Sequence, residues 1–116
     1  MYKSSIEIIR HIYIEAKYIV ESSENKSYDD LCNDETWKRA IIRSLEIIGG
    51  ASKKIDEETK DKFFFVKWGK MAKMRDKLIH DYFGVDYEIV WDVISNKIPE
   101  LYHQLNEILS EEDGNR

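Results

Sequence analysis

Apolar residues recur at intervals of three and four along almost the whole chain, and no stretch alternates apolar and polar residues as a half-buried strand does. One proline and five glycines among 116 residues leave few places where that rhythm must break. The chain therefore reads as all-α. A first helix is expected from Ser5 to about Ser23, with Ile6, Ile9, Tyr13, Ala16 and Val20 as its stripe, broadened by Ile12 and Ile19. Ser4 and Glu7 stand at capping-box spacing before it. Glu21–Tyr28 reads as a polar loop and Ser27–Leu31 as a short turn. Asn33 or Asp34 can cap a second helix, one face of which carries Trp37, Ile41, Ser44, Leu45, Ile48, Ala51 and Ile55.

Gly49-Gly50 falls inside that second pattern. Each glycine costs about 1 kcal/mol relative to alanine in a helix interior. Either the helix bends there or another backbone packs close, and the sequence leaves both open. Asp56–Lys62 reads as a charged connector, and a third helix is expected from about Val66 to Tyr82, stopped near Gly84. Asp86 can cap a fourth helix reaching about Ser95. Pro99 suits the first turn of a fifth, which Leu101, Leu105, Ile108 and Leu109 continue inward. Glu111–Arg116 reads as a frayed tail. The expected architecture is one domain over residues 1–116, an antiparallel bundle of four or five helices.

Composition narrows the function. Cys32 is the only cysteine, so the chain can form no internal disulfide and offers no cysteine pair to a metal; it reads as a small packed residue. The N-terminal segment is charged every few residues and lacks the apolar stretch of a signal peptide. The longest apolar run, Phe63-Phe64-Phe65-Val66, is far short of a membrane span. A soluble, cytoplasmic protein is expected. The net charge of −5 argues against a general nucleic-acid binder, so any RNA reading needs a local basic patch. No cofactor motif is visible. Glu100-Leu101-Tyr102-His103 is a single Glu-x-x-His where bundle metal sites use a pair, so no metal site is expected.

The third helix supplies the basic patch. Lys67, Lys70, Lys73, Arg75 and Lys77 cluster there with Asp76 as the one acid among them, and such a patch can neutralise phosphates. A solvated helix face has the same composition. At about 100° per residue, Met71, Met74, Leu78 and Tyr82 share the expected core side. Asp76 and His80, four apart, are neighbours on the polar side, where the carboxylate could orient the imidazole. Arg75 and His80, five apart, are separated by about 140° around the axis. They can reach one small group only if the helix loosens near its end or if a second chain completes the site. The residues taken singly also have ordinary explanations: a surface histidine, a local Arg–Asp pair, a packed tyrosine.

Arg75, four intervening residues, then His80-Asp81-Tyr82 resembles the R-x4-H-x-Y motif of HepT-like proteins in the HEPN superfamily. The flanks are similar as well. Arg43-Ser44-Leu45-Glu46-Ile47-Ile48-Gly49 resembles the family's second-helix signature. Trp68 through Met74 resembles the segment before the motif arginine, and Tyr82-Phe83-Gly84-Val85-Asp86 with Ile89-Val90-Trp91 the segment after it. Pro99 and Leu101 fit the last helix. Asp76 is within the pattern, since a polar residue usually follows the arginine. One departure stands out: where the family usually continues Gly-Glu-Ala, this chain has Gly49-Gly50-Ala51.

The resemblance implies an HEPN-type bundle and a metal-independent RNase that acts as a toxin. It implies a homodimer with a composite site at the interface, and a minimal nucleotidyltransferase antitoxin that attaches AMP to the motif tyrosine. Carried over by motif position, Arg75 and His80 are catalytic, Asp76 supports them, Tyr82 is the modified residue, and Lys67, Lys70, Lys73 and Lys77 form the RNA-binding patch. The alternative it allows is a non-catalytic HEPN partner of a nucleotidyltransferase.

Overall fold

The computed structural model describes residues 2–80 and 84–114, with residues 2–4, 79 and 80 described by backbone alone. The described residues contain no strand. The helices are α1 (Tyr2–Ser22), α2 (Tyr28–Asn33), α3 (Glu35–Ser52), α4 (Glu57–Lys62), α5 (Trp68–His80), α6 (Tyr87–Asp92) and α7 (Ile98–Gly114), and a π-turn over Val93–Lys97 joins α6 to α7. None is long and apolar enough to cross a membrane.

Local chemistry accounts for most of the starts. Asp34 caps α3, its carboxylate accepting from the Trp37 amide at 3.1 Å, and Asp86 caps α6 by accepting from the amides of Glu88 and Ile89. A reciprocal capping box forms at α2: the Ser27 hydroxyl accepts from the Asp30 amide at 3.2 Å and the Asp30 carboxylate from the Ser27 amide at 2.8 Å. The box expected at Ser4 and Glu7 does not mark a start, because α1 already includes Ser4.

Three other expectations change. The segment read as a charged connector contains α4, which has no apolar period; Asp56 caps it at the Thr59 amide, 2.9 Å, and Thr59 is buried. Pro99 does not open a separate helix. The chain stays helical from Tyr87 to Gly114, and the amide of Ile98 reaches back to the Val93 carbonyl across the wide turn. Proline in a helix lacks an amide and crowds the preceding turn, and a widened turn takes up that misfit. Residues 111–114, read as tail, continue α7, and Arg10 pairs with Asp113.

The core centres on α1, which packs on both α3 and α7. Ile9, Ile12, Ala16 and Ile19 are fully buried, as are Ile41, Leu45 and Ile48 of α3 and Leu105 of α7. Each such aliphatic side chain contributes roughly 1.5–3 kcal/mol by leaving water. Polar ties fix the directions. Trp37 Nε1 donates to Ser22 Oγ at 3.1 Å and the Asp56 amide to Ser5 Oγ at 3.2 Å, so α3 runs antiparallel to α1. The Arg10–Asp113 pair and the stacked Tyr13 and Tyr102 rings, 5.3 Å apart, make α7 antiparallel to α1 as well. α5 packs on α3 and, among the described residues, its backbone stays farther from that of α7.

Candidate active site

The two glycines of α3 do not break it, since the helix continues through both to Ser52. They mark where α5 crosses. A Cβ at Gly49 would overlap the Cβ of Arg75 and stand 2.8 Å from its Cγ and 2.9 Å from the Met71 carbonyl oxygen. Only a residue without a side chain lets the two backbones come this close. Of the two explanations open for the glycine pair, close packing is therefore the one realised. The contact also aims the motif arginine. Its stem lies across Gly49, its side chain is 36% exposed, and its Nε lies 3.9 Å from the point where a Cβ at Gly50 would stand.

A carboxylate and a second cation stand beside it. Arg75 Nη1 is 3.6 Å from Asp76 Oδ1, and the same oxygen accepts from the Lys53 ammonium. Lys53 follows α3 and was not singled out in the sequence. It lies one helical turn beyond Gly49, so it could have been found only by knowing that Gly49 faces Arg75, which sets Lys53 against the next residue of α5.

α5 is α-helical from Trp68 through His80, with no loosened turn between Arg75 and His80. Backbone register alone thus keeps the two about 140° apart around the helix. The side chain of His80, and with it the expected Asp76–His80 hydrogen bond, lies outside the described residues, as does Tyr82. Lys73 and Lys77 are exposed. Lys67 and Lys70, also exposed, stand at a cleft between α5 and the α6–α7 run. Among the described residues no three His, Cys, Asp or Glu side chains converge as metal ligands would.

The profile of the family described as ribonuclease HepT-like matches residues 3–108. The chain belongs to the ribonuclease HepT-like family. It is 45% identical to a "putative RNase" of Caldanaerobacter subterraneus, over 90% of this chain and 93% of that one. It is 41% identical to a "putative RNase" of Methanocaldococcus jannaschii, over 84% of this chain and 81% of the other. A "probable ribonuclease HepT" of Thermococcus cleftensis is 39% identical, over 87% and 92% of the two chains. No solved structure matches. The matched span of this HepT-like chain contains the Gly49–Arg75 crossing and the whole Arg75–Tyr82 motif. Gly50 falls beside the arginine: a Cβ there would meet only Arg75 Nε, at 3.9 Å, so glycine leaves that flank open.

Proposed function

We propose that this HepT-like chain is a metal-independent endoribonuclease, the toxin of a HEPN and minimal-nucleotidyltransferase pair, acting as a cytoplasmic homodimer. The observation that carries the reading is the Gly49 crossing, which presents a half-exposed Arg75 on a lysine-rich helix five residues before His80. RNA carries its own nucleophile. When the ribose 2′-oxygen attacks the adjacent phosphorus in line, the bond to the 5′-oxygen breaks and a 2′,3′-cyclic phosphate forms. The 2′-hydroxyl proton must leave, and the departing 5′-oxygen must receive one.

An imidazole titrates near neutrality and can carry either proton, which is the role proposed for His80. The planar guanidinium of Arg75 can hold two phosphate oxygens and the charge that develops on them. Asp76 orients His80 in this reading, while Lys67, Lys70, Lys73 and Lys77 supply sequence-independent attraction for the backbone. The regular geometry of α5 through His80 favours a composite site, with the arginine and histidine at one phosphate drawn from two chains. AMP attached to Tyr82 by the antitoxin would put an anionic phosphate where the substrate phosphate belongs and so silence the enzyme.

In EDTA, Arg75→Ala and His80→Ala should each abolish RNA cleavage while thermal unfolding stays near that of the parent chain. An His80→Ala chain that cleaves as fast as the parent would sink the mechanism. A mixture of inactive Arg75→Ala and inactive His80→Ala chains should regain part of the activity if the site is shared between subunits. Incubation with the nucleotidyltransferase and ATP should add adenylyl mass to Tyr82.

The open flank at Gly50 favours a second reading, a non-catalytic binding partner of the nucleotidyltransferase. It predicts a tight complex with that partner and no RNA turnover by the isolated chain.

A further inference from the structure

α5 has a second flank, of which the proposed chemistry uses only Lys67 and Lys70, and those only for general attraction of the RNA backbone. Next to the seam with α3, sharing Met71 with it, a cleft of about 230 Å³ opens between α5 and the α6–α7 run. Its floor is apolar, built from Met71 and Met74 of α5 with Ile98 and Leu101 of α7. Its rim is cationic: Lys67 and Lys70 on one side and Lys97 on the other, against the single carboxylate of Glu100. None of these lysines has an ion-pair partner among the described residues, and the chain as a whole carries −5. Three lysines gathered around an apolar slot in an acidic protein suit a ligand with a flat apolar body and anionic ends.

Two further features converge on this cleft. The π-turn over Val93–Lys97 forms part of its wall, and by widening the helix it sets Val93, Lys97 and Ile98 on one turn facing α5. Such turns are frequent at functional sites, although Pro99 alone is a sufficient cause of this one. The aromatic run before α5 is joined to the cleft through its backbone at Phe65. Phe63 and Val66 are buried, whereas Phe65 is 44% and Phe64 79% exposed, the two exposed rings meeting edge to face at 6.2 Å. Gln104, which lines the cleft, donates its amide to the Phe65 carbonyl at 3.3 Å and so ties the aromatic lip to the wall. Exposed aromatic rings cost solubility, and beside a row of lysines they form what single-stranded nucleic acid requires: a stacking surface for a base and cations for the phosphates on either side of it.

We infer that this cleft is a base-binding subsite for single-stranded RNA, in which one nucleobase enters the Met71–Leu101 slot and stacks at Phe65 while Lys67, Lys70 and Lys97 hold the flanking phosphates. The inference rests on the ribonuclease reading and extends it. α5 then carries substrate recognition on the flank facing α7 and the motif arginine on the flank facing α3. A nucleotide anchored in the cleft fixes how the strand runs along α5 and hence which phosphate comes to Arg75. Phosphate-tracking lysines do not choose a sequence, but a slot that encloses a base distinguishes single-stranded RNA from duplex.

The test is binding measured apart from cleavage. The full-length chain is titrated against a fluorescein-labelled, fully 2′-O-methylated RNA octamer, which has no free 2′-hydroxyl to attack, and anisotropy is read at low salt. Phe65→Ala should weaken binding about tenfold, the scale of one lost base-stacking contact. Lys97→Glu should weaken it about as much, with the deficit shrinking as salt is raised. Lys17→Glu, the same charge change at an exposed site on α1, should alter it less than about twofold if the attraction is local rather than global. Both cleft residues are exposed, so circular dichroism melts should match the parent, and Lys97→Gln serves should the reversal perturb folding.

Failure of the parent chain to bind the octamer, or parental affinity in both Phe65→Ala and Lys97→Glu, overturns the inference. So does dissociation of a dimer by these variants with RNA affinity per chain unchanged, which would make the face a contact between copies. Cleft-dependent binding without any cleavage of unmodified RNA sinks the nuclease reading and leaves the subsite standing. Cleavage by both variants at the parental KM sinks the subsite and leaves the nuclease.

Discussion

The two seams of α3 are built on opposite rules. Toward α1 it presents branched aliphatic side chains, and the junction is sealed: Ile41, Leu45 and Ile48 are fully buried with Ile9, Ile12 and Ile19. Toward α5 it presents a bare backbone at Gly49, over which the stem of Arg75 passes, with Ser52 Oγ 3.9 Å from Met71 Sδ just beyond. The first seam gains free energy from area removed from water. The second gives up area and the helix-forming benefit of a side chain, and in exchange sets one guanidinium at the surface in a defined place. α5 is anchored on this seam, while its backbone stands off from that of α7 and leaves the cleft between them. Stability is thus concentrated on one side of α3 and positioning on the other.

That division predicts a separation of effects. Leu45→Ala, in the sealed seam, should cost about 2–5 kcal/mol of unfolding free energy in denaturant titration. RNA cleavage per folded molecule should stay at the parental rate, because nothing near Arg75 moves. If activity per folded molecule falls with stability, the two seams are not separable. Gly49→Ala should cost less, about 1–3 kcal/mol, since the new Cβ overlaps Arg75 and must push the helices apart. Here the rate should drop in the folded protein, because the displaced residue is the proposed phosphate binder. Gly50→Ala sharpens the contrast: its Cβ would meet Arg75 Nε only at ordinary contact distance, 3.9 Å. Replacing that glycine should stabilise the helix by up to about 1 kcal/mol and leave cleavage unchanged.

The same contrast explains what could be read from the sequence. The sealed seam was legible, because Ile6, Ile9, Ala16 and Leu45 follow the helical period and burial is what that period encodes. The cap at Asp86, and that at Asp34 as one of two adjacent candidates, were legible because a short polar side chain before an apolar run has few other uses. The crossing at Gly49 was only half legible. A glycine pair in a helix announces that something is close without saying what, and the partner lies 26 positions away at Arg75. Lys53 was invisible for the same reason, since its meaning depends on the register between two helices. The α5–α7 cleft escaped because the spacing between two helix backbones is not encoded in either helix's period, and the π-turn in its wall because proline reads as a helix start when it stands near a polar stretch. The motif residues themselves came from resemblance; periodicity would have left Arg75 as one basic residue among several.

The smallest expected effect lies between the seams, where Lys53 reaches from the end of α3 to Asp76 on α5. Both side chains are a little over 40% exposed, so water and salt screen the pair. A double-mutant cycle with Lys53→Met and Asp76→Asn should give a coupling of roughly 0.2–1 kcal/mol, the range of exposed ion pairs. It should fade as ionic strength rises. The consequence for activity is the more telling measurement. Lys53 competes for the oxygen that also stands 3.6 Å from Arg75 Nη1. Removing the ammonium therefore leaves Asp76 more strongly drawn to the guanidinium, which then binds substrate phosphate less well. Lys53→Met should accordingly raise KM for RNA more than it lowers kcat, whereas a lysine that serves only to tie the helices together would leave both constants where they were once the folded fraction is corrected for.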